Sequence, residues 1–321
     1  MINLEDIYSK IINDNYRITE TEARKIWSSD LSLLLETADK IRKHFKGNEI
    51  KLCSIINAKS GNCPENCKFC AQSLHNKAVI EKYPLVDQKK VEEAFESSKR
   101  NRASCFGIIT SGKRVTEEEI DRICEMAQGL NGTKTDVSVS LGMLSTASLK
   151  KIKESGINKI HHNLETAESY FPSICTTHSY LDRLSTVKKA KEMGFEICSG
   201  GIFGIGELPE QRIELAFALR KLDVDSIPLN FLNPIKGTRL EKAKPLSQEE
   251  ILRTIAIFRF ILPDKDIKVC GGREVNLKDS QSKIFYAGAN GMMVGGYLTT
   301  DGRPVEEDIK MIEDQGFTIQ A

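Results

Sequence analysis

Short apolar segments alternate with longer amphipathic ones along most of the chain. Eight segments have the length and apolar content of β-strands: 50–56, 103–109, 136–141, 157–163, 195–200, 225–231, 267–270 and 290–295. Seven segments between them repeat apolar residues at helical spacing: 87–100, 116–129, 145–154, 180–193, 209–221, 247–261 and 277–287. This order predicts an α/β protein with a (β/α)8 TIM-type barrel. An open doubly wound sheet is the competing architecture.

A helical extension is predicted ahead of the barrel. Residues 1–46 contain a helix start signal at 19–22 and an apolar stripe that includes Ile26, Leu34 and Ile41. The chain shows no repeat, low-complexity tract or flexible linker. We therefore expect one domain over 1–321, made of N-terminal helices (1–46), a barrel (47–300) and a C-terminal tail (301–321).

The two faces of the predicted strands differ in character, because successive side chains of a strand point to opposite sides. One face is apolar, as in Phe106 and Ile108 or Ile267 and Val269. The other face carries polar groups and thiols: Cys105, Ser138, Lys159, His161, Asn163, Cys198, Lys268 and Cys270. The apolar set suits the surrounding helices, so the polar set faces the lumen. Ordinary barrel cores are filled by branched apolar residues, and a polar lumen therefore indicates a bound group. Satisfied core polar groups are the alternative for any single strand.

Composition narrows the class of protein. The 46 Lys and Arg residues nearly balance the 45 Asp and Glu residues, which gives no indication of nucleic acid or an anionic membrane as partner. The longest apolar stretch, 254–262, is interrupted by Arg259 and is too short to span a bilayer. The first ten residues lack the pattern of a signal peptide. We expect a cytoplasmic protein, in which nine cysteines favour metal sites over disulfides.

Three cysteines stand close together at Cys63, Cys67 and Cys70, after the first predicted strand. Barrel active sites lie at the carboxyl ends of the strands. Three thiolates can hold three corners of an iron–sulfur cube and leave the fourth iron open for chemistry. A structural zinc site is the alternative, but it requires a fourth ligand that no nearby residue obviously supplies.

This Cys-x3-Cys-x2-Cys spacing resembles the radical S-adenosylmethionine (SAM) superfamily. The resemblance implies that Cys63, Cys67 and Cys70 hold a [4Fe–4S] cluster, and that the amino and carboxyl groups of SAM chelate its open iron. Phe69 occupies the place of the aromatic residue that is typical before the last cysteine. One-electron reduction of SAM would then give a 5′-deoxyadenosyl radical.

Further motifs resemble the biotin synthase family over about residues 1–315: 62–73, 162–166, 198–202, 204–207, 272–274 and 287–290. Several motifs in the same order are far more specific than any one of them. The resemblance implies radical SAM-dependent insertion of sulfur into dethiobiotin, with the sulfur supplied by an auxiliary iron–sulfur cluster. It also implies a flavodoxin- or ferredoxin-type reductant and a homodimer.

The auxiliary ligand set departs from the family pattern. The family's ligands correspond to Cys105, Cys198 and Arg273, with a further cysteine expected where Ser138 stands. A hydroxyl is a far poorer iron ligand than a thiolate. Cys270 is an additional inward thiol, so we expect Cys105, Cys198 and Cys270 to hold the cluster, in a four-iron form with one non-protein position. A two-iron cluster with Arg273, and Cys270 as a small buried hydrophobe, remain alternatives.

The resemblance also implies ligand contacts in the polar pocket. Asn163, Glu165 and Arg183 correspond to residues that contact SAM or dethiobiotin, and Asn230 to one that contacts the ureido ring. Amide side chains match the donors and acceptors of a ureido group. Glu165 stands where the family more often has Asp, and His161 replaces a common Asn; we expect His161 to be structural.

Two glycines and three cysteines complete the set of residues with an expected role. Gly200 and Gly201 are expected to let the backbone approach the methionine part of SAM. Cys53 and Cys124 are expected to be structural. Cys175 is expected in a loop, and the sequence leaves open whether it lies near the site.

Two other functions remain in competition. One is a different radical SAM barrel enzyme, such as a hydrogenase-maturation or methylornithine-type enzyme. The other is a non-enzymatic iron–sulfur or zinc protein. Inward cysteines on three strands favour the sulfur-inserting enzyme over the other radical SAM enzymes, which do not require them. The non-enzymatic alternative leaves the polar lumen unexplained.

Overall fold

Parallel strands close into a barrel at the centre of the molecule. The computed structural model describes residues 2–130 and 135–320. The two ends of the predicted domain, Met1 and Ala321, therefore lie outside the described residues. The strands are β1 (Glu49–Lys59), β2 (Cys105–Thr110), β3 (Asp136–Ser140), β4 (Lys159–His161), β5 (Glu196–Cys198), β6 (Gly201–Phe203), β7 (Ser226–Phe231), β8 (Asp266–Val269), β9 (Gly291–Met293) and β10 (Thr318–Ile319). Strands β1 to β5 and β7 to β9 pair in chain order, and β9 closes on β1. The predicted barrel is confirmed, and the open sheet is wrong.

Helices surround this barrel and extend it at the amino end. They are α1 (Leu4–Asn13), α2 (Glu20–Trp27), α3 (Leu31–Lys46), α4 (Gln88–Arg100), α5 (Glu117–Gln128), α6 (Thr146–Glu154), α7 (Tyr180–Glu192), α8 (Pro209–Lys221), α9 (Gln248–Ile261), α10 (Arg273–Leu277), α11 (Lys283–Tyr286) and α12 (Val305–Asp314). Thr19 caps α2 in a reciprocal box with Glu22, as the start signal predicts. Helices α2 and α3 pack on α9, and α2 also packs on α8. Over the described residues, no helix is long and apolar enough to cross a membrane.

Three segments differ from the sequence-based prediction. The predicted strand 195–200 divides into β5 and β6, and both halves pair with β7. The predicted helix 277–287 breaks at Lys278, whose φ of 49° is not helical. The expected C-terminal tail forms α12 and β10, and β10 pairs with the start of β1.

The predicted division of the strands into an apolar and a polar face is confirmed. The apolar side chains Phe106, Ile108, Ile197 and Ile267 are fully buried on the side away from the lumen. Cys105, Ser138, Lys159, His161, Cys198, Lys268 and Cys270 line a cavity inside the barrel. The closed sheet therefore concentrates thiols and cations in its interior.

A buried ion pair fastens the C-terminal helix to the barrel. The Arg273 guanidinium donates to both carboxylate oxygens of Asp308 on α12, at 3.0 and 2.8 Å. Both residues are fully buried. Because neither charge reaches water, each depends on the other to offset the loss of its hydration.

We expect the substitution Asp308→Ala to lower the free energy of unfolding by about 3–5 kcal/mol, because it removes the fully buried partner of Arg273 and leaves the partly exposed Glu274 as its remaining carboxylate. Urea unfolding followed by circular dichroism measures the loss. The matched control is Asp314→Ala, which removes an exposed pair with Lys310 and should cost less than about 1 kcal/mol. Equal losses in the two variants would contradict this role of Asp308.

Candidate active site

The three-cysteine loop follows β1 at the carboxyl end of the barrel, as predicted. Asn76 holds the loop in shape, because its Nδ2 donates to the backbone oxygens of Cys67 at 3.1 Å and Cys70 at 2.8 Å. The side chains of Cys63, Cys67 and Cys70 line one cavity of about 210 Å³, which we call the outer cavity. The loop therefore directs all three thiols toward a common space.

These thiols are held in their neutral form when no metal is present. Burial raises the pKa of Cys63, and it raises that of Cys70 to about 11. A hydrogen bond with Cys175, together with burial, raises the pKa of Cys67 above its usual range. Iron binding must therefore displace protons. Three converging soft donors fit an iron–sulfur cluster with an open iron.

Cys175, whose place the sequence left open, lies beside this triad. The donor atoms of Cys67, Cys175 and His178 lie within 4.8 Å of one another. The hydrogen bond with Cys67 lowers the pKa of Cys175 to about 3 against the effect of burial, and His178 adds to the shift. The His178 ring is already engaged, because Nδ1 contacts Glu65 and Nε2 lies 3.3 Å from Arg183 Nη1. We therefore interpret this group as a hydrogen-bonded support for Cys67 rather than a second metal site.

A second cavity, of about 270 Å³, continues the outer one toward the barrel axis. This middle cavity shares Phe69, His161, Asn163 and Glu165 with the outer cavity, and Asn230 lies on its far side. Apolar side chains form most of its remaining wall: Ile55, Ile109, Ile202, Phe231, Leu232, Ile235, Met293 and Leu298. Burial lowers the pKa of His161, so its imidazole is neutral in this setting. The cavity suits a largely apolar molecule with a few polar groups.

The charged and amide residues of the two cavities form a connected group. Arg183 Nη2 donates to Glu165 Oε1 at 2.7 Å, and Arg183 Nε donates to the Asn163 carbonyl at 2.6 Å. Asn163 Oδ1 accepts from Gly200 N at 3.1 Å. Asn230 Oδ1 accepts from a backbone amide at 2.9 Å. Each amide retains donor capacity for a ligand, because its NH2 group carries two protons.

Gly200 and Gly201 serve the packing of the strands. A Cβ on Gly200 would lie 2.0 Å from the Pro228 oxygen, and one on Gly201 would lie 2.4 Å from the Glu165 oxygen. Neither glycine is among the residues that line the outer or middle cavity. The close approach that these glycines permit is between backbone segments of the barrel, in contrast to the expected approach to SAM.

A third chamber lies deeper in the barrel, and we call it the inner cavity. In the described part of the chain, four thiols line it: Cys53, Cys105, Cys198 and Cys270. Ser138 also lies there, with its Oγ 3.7 Å from the Cys105 sulfur. His161 and Ile109 line all three cavities. The three cavities therefore adjoin one another between the loop triad and the buried thiols.

Lys268 brings a positive charge among these thiols. Its Nζ lies 3.0 Å from the Cys53 sulfur, and the residue is 5% exposed. Burial alone would lower the pKa of Lys268, but Cys53, Cys105 and Cys198 raise it well above its usual range. The Cys105 hydrogen bond and the Lys268 charge lower the pKa of Cys53 to about 7 against the effect of burial. The inner cavity thus favours a thiolate at Cys53.

Arg273 engages carboxylate and amide partners, although the resemblance made it a candidate ligand. Its terminal nitrogens donate to Asp308, Glu274 and Gln281. Arg273 is not among the residues that line the inner cavity. This arrangement argues against the expectation, because both terminal nitrogens are committed to other partners.

Sequence reasoning missed Cys53 as a lumen residue. Strand alternation carries the signal, because Leu52 and Ile56 are apolar on one face of β1 and Cys53 and Ile55 share the other. The pairing register then sets Cys53 beside Cys105. Alternation also predicts the inward position of Lys268, but its contact with Cys53 depends on two strands far apart in the sequence.

Comparisons with known proteins agree with these motifs. The model of the radical SAM superfamily matches residues 58–219, and that of the biotin and thiamin synthesis associated domain matches residues 228–318. The chain is 50% identical to a biotin synthase of Endomicrobium trichonymphae, over 99% of this chain and 98% of the relative. It is 48% identical to a biotin synthase of Geobacter sulfurreducens, over 100% and 99%.

Solved structures support the fold. A methylornithine synthase superposes with a TM-score of 0.82 at 21% identity, covering 98% of this chain and 97% of the other. An [FeFe]-hydrogenase maturase from Carboxydothermus hydrogenoformans gives a TM-score of 0.81 at 17% identity, covering 99% and 79%. At these identities the likeness concerns the barrel alone.

We expect Gly200→Ala to reduce soluble yield and the thermal midpoint sharply, because its Cβ would overlap the Pro228 carbonyl. Gly296→Ala is the matched control, since a Cβ there meets no atom within 4 Å. Thermal unfolding of the two purified variants measures the difference. If Gly200→Ala unfolds at the wild-type temperature, the backbone approach is not what requires glycine.

Proposed function

Because the chain belongs to the biotin synthase family of radical SAM enzymes, we propose roles for its site residues in the reaction of that family. The reaction inserts sulfur into dethiobiotin and forms biotin. The adjacency of the three cavities carries the proposal, since a substrate in the middle cavity would lie between the loop triad and the buried thiols. When bound, the loop cluster and SAM supply a 5′-deoxyadenosyl radical, and an auxiliary cluster supplies sulfur.

Cys63, Cys67 and Cys70 would hold the [4Fe–4S] cluster. Their common cavity and their soft donor atoms support this role. Asn76 keeps the loop folded, and the contact between Cys175 and Cys67 fixes the position of one ligand. Phe69 lies between the outer and middle cavities and would separate the loop from bulk water on the substrate side.

Asn163, Glu165 and Arg183 would orient SAM, and Asn230 would orient dethiobiotin. The Glu165 carboxylate can accept from a ribose diol through its free lone pairs while Arg183 holds it in place. The Asn230 amide keeps one N–H for the ureido carbonyl of the substrate. The apolar wall of the middle cavity matches the hydrocarbon chain of dethiobiotin and excludes water, which protects a reactive radical from side reactions.

Cys105, Cys198 and Cys270 would hold the auxiliary cluster, with Cys53 as a fourth thiol in reach. The shared inner cavity supports this set, and the commitment of Arg273 to Asp308 makes that residue a poor ligand. Three thiolates suit a four-iron cluster with one non-protein position, and with Cys53 as a fourth ligand the set suits a four-iron or a two-iron cluster equally. Ser138 would contact Cys105 rather than iron, since hydroxyl groups bind iron weakly.

Three further features belong to the proposal. A one-electron donor of the flavodoxin or ferredoxin class and a homodimer come from the family resemblance, and a cytoplasmic location comes from the sequence composition. The neutral charge balance of the chain is compatible with all three and selects none of them.

An anaerobic assay tests the function. Reduced, cluster-loaded protein is given SAM and dethiobiotin, and biotin and 5′-deoxyadenosine are quantified. We expect both products. Deoxyadenosine without biotin would favour another radical SAM activity, and neither product would favour a non-enzymatic iron–sulfur protein.

Single substitutions test the auxiliary ligand set. We expect Cys270→Ala and Cys53→Ala each to lower the iron and sulfide content of the auxiliary cluster, and the formation of biotin, by at least about tenfold. Even the loss of a residue that only hydrogen-bonds to a metal ligand typically lowers metal affinity or activity 10–100-fold. SAM cleavage without biotin formation should persist. Cys124→Ala, a buried thiol on α5 outside the lumen, is the control. An intact auxiliary cluster in Cys270→Ala would remove that residue from the set.

A further inference from the structure

Lys268 is the one lumen cation without a carboxylate partner among the described residues. Its side chain enters from β8, and its single hydrogen bond in the described part of the chain is to the Cys53 sulfur. The residue is 5% exposed, so water cannot solvate its ammonium group fully. A buried ammonium group needs an anionic partner, and the Cys53 sulfur is the described neighbour that can supply it.

Other buried or lumen cations are compensated in a different way. Lys159, which lines the same inner cavity, pairs with Asp136 at 3.2 Å and Glu196 at 2.8 Å. The buried guanidinium of Arg212 pairs with Glu207. The Cys53 thiolate is the anionic partner that Lys268 has among the described residues, and an anion bound in the inner cavity would add to it.

The surroundings of Lys268 specify what this anion is. The thiols of Cys53, Cys105, Cys198 and Cys270 line the same chamber. Thiolates become ligands by losing protons, so several of them bring a net negative charge into a region of low dielectric. The ammonium has three donors, and Cys53 occupies one. Two donors remain for other sulfur atoms in the chamber.

We propose that Lys268 is a positioning residue for the auxiliary cluster. Its positive charge balances the negative charge of the cluster, and its hydrogen bond holds the Cys53 sulfur in place beside the cluster. The inference rests on the auxiliary site of the proposed function. Hydrogen bonds and positive charge near cluster sulfur stabilise the more negative, reduced state and raise the reduction potential. Lys268 therefore sets how readily the auxiliary cluster accepts an electron during sulfur transfer.

The test compares the substitution Lys268→Met, which keeps length and removes charge, with Lys268→Arg and with the matched control Lys159→Met. Each holoenzyme is prepared anaerobically, and iron and sulfide are counted. The auxiliary cluster is titrated potentiometrically, and signals of the loop cluster are identified by their change on adding SAM. We expect Lys268→Met to make reduction at least tenfold less favourable, which is about 59 mV for one electron. Lys268→Arg restores most of the potential, and Lys159→Met changes it less.

Each outcome decides the inference. A Lys268→Met enzyme with a full cluster and the wild-type potential overturns it. If Lys268→Met folds but lacks the auxiliary cluster, recovery of the cluster in Lys268→Arg supports it, and absence in both variants overturns it. A wild-type enzyme without any auxiliary cluster overturns the proposed function together with this inference, whereas an unchanged potential overturns this inference alone.

Discussion

Strand alternation within a closed parallel barrel is the constraint on which the site depends. Every second side chain of each strand enters a lumen that helices and loops shield from water. The pairing register then sets specific inward residues side by side, with Cys53 opposite Cys105 and His161 opposite Cys198. A polar group in that space must find a partner there, because it has no access to bulk water. The chemistry of the inner cavity is the consequence of this requirement.

Burial acts differently on the thiols and on the cations. It raises the pKa of Cys270 to about 12 and that of Cys198 above its usual value, so these thiols stay protonated until a metal replaces the proton. For Lys268 the neighbouring sulfur atoms outweigh burial and keep the ammonium charged. Thiols and ammonium together form a site that suits an anionic, thiolate-bound group.

Much of the architecture was predictable, because hydrophobic periodicity is a local signal. Alternating strands and helices indicated the barrel, and alternation within strands indicated a polar lumen with Cys105, Cys198 and Cys270 inside. The C-terminal helix was missed although Val305, Ile309 and Ile312 recur at helical spacing. Its docking on the barrel was not predictable, since the buried pair of Arg273 and Asp308 joins residues 35 positions apart. The same pair occupies the terminal nitrogens of Arg273.

Sequence alone determined the kind of chemistry, through the spacing of Cys63, Cys67 and Cys70 and the order of the accompanying motifs. It also determined which strand faces are polar, because side-chain direction in a strand follows position. Only the tertiary structure decided which inward groups meet: Cys53 with Cys105 and Lys268, and Cys175 with Cys67. These contacts join residues that are distant in the chain, and their geometry depends on strand register, barrel closure and loop packing, none of which a local pattern encodes.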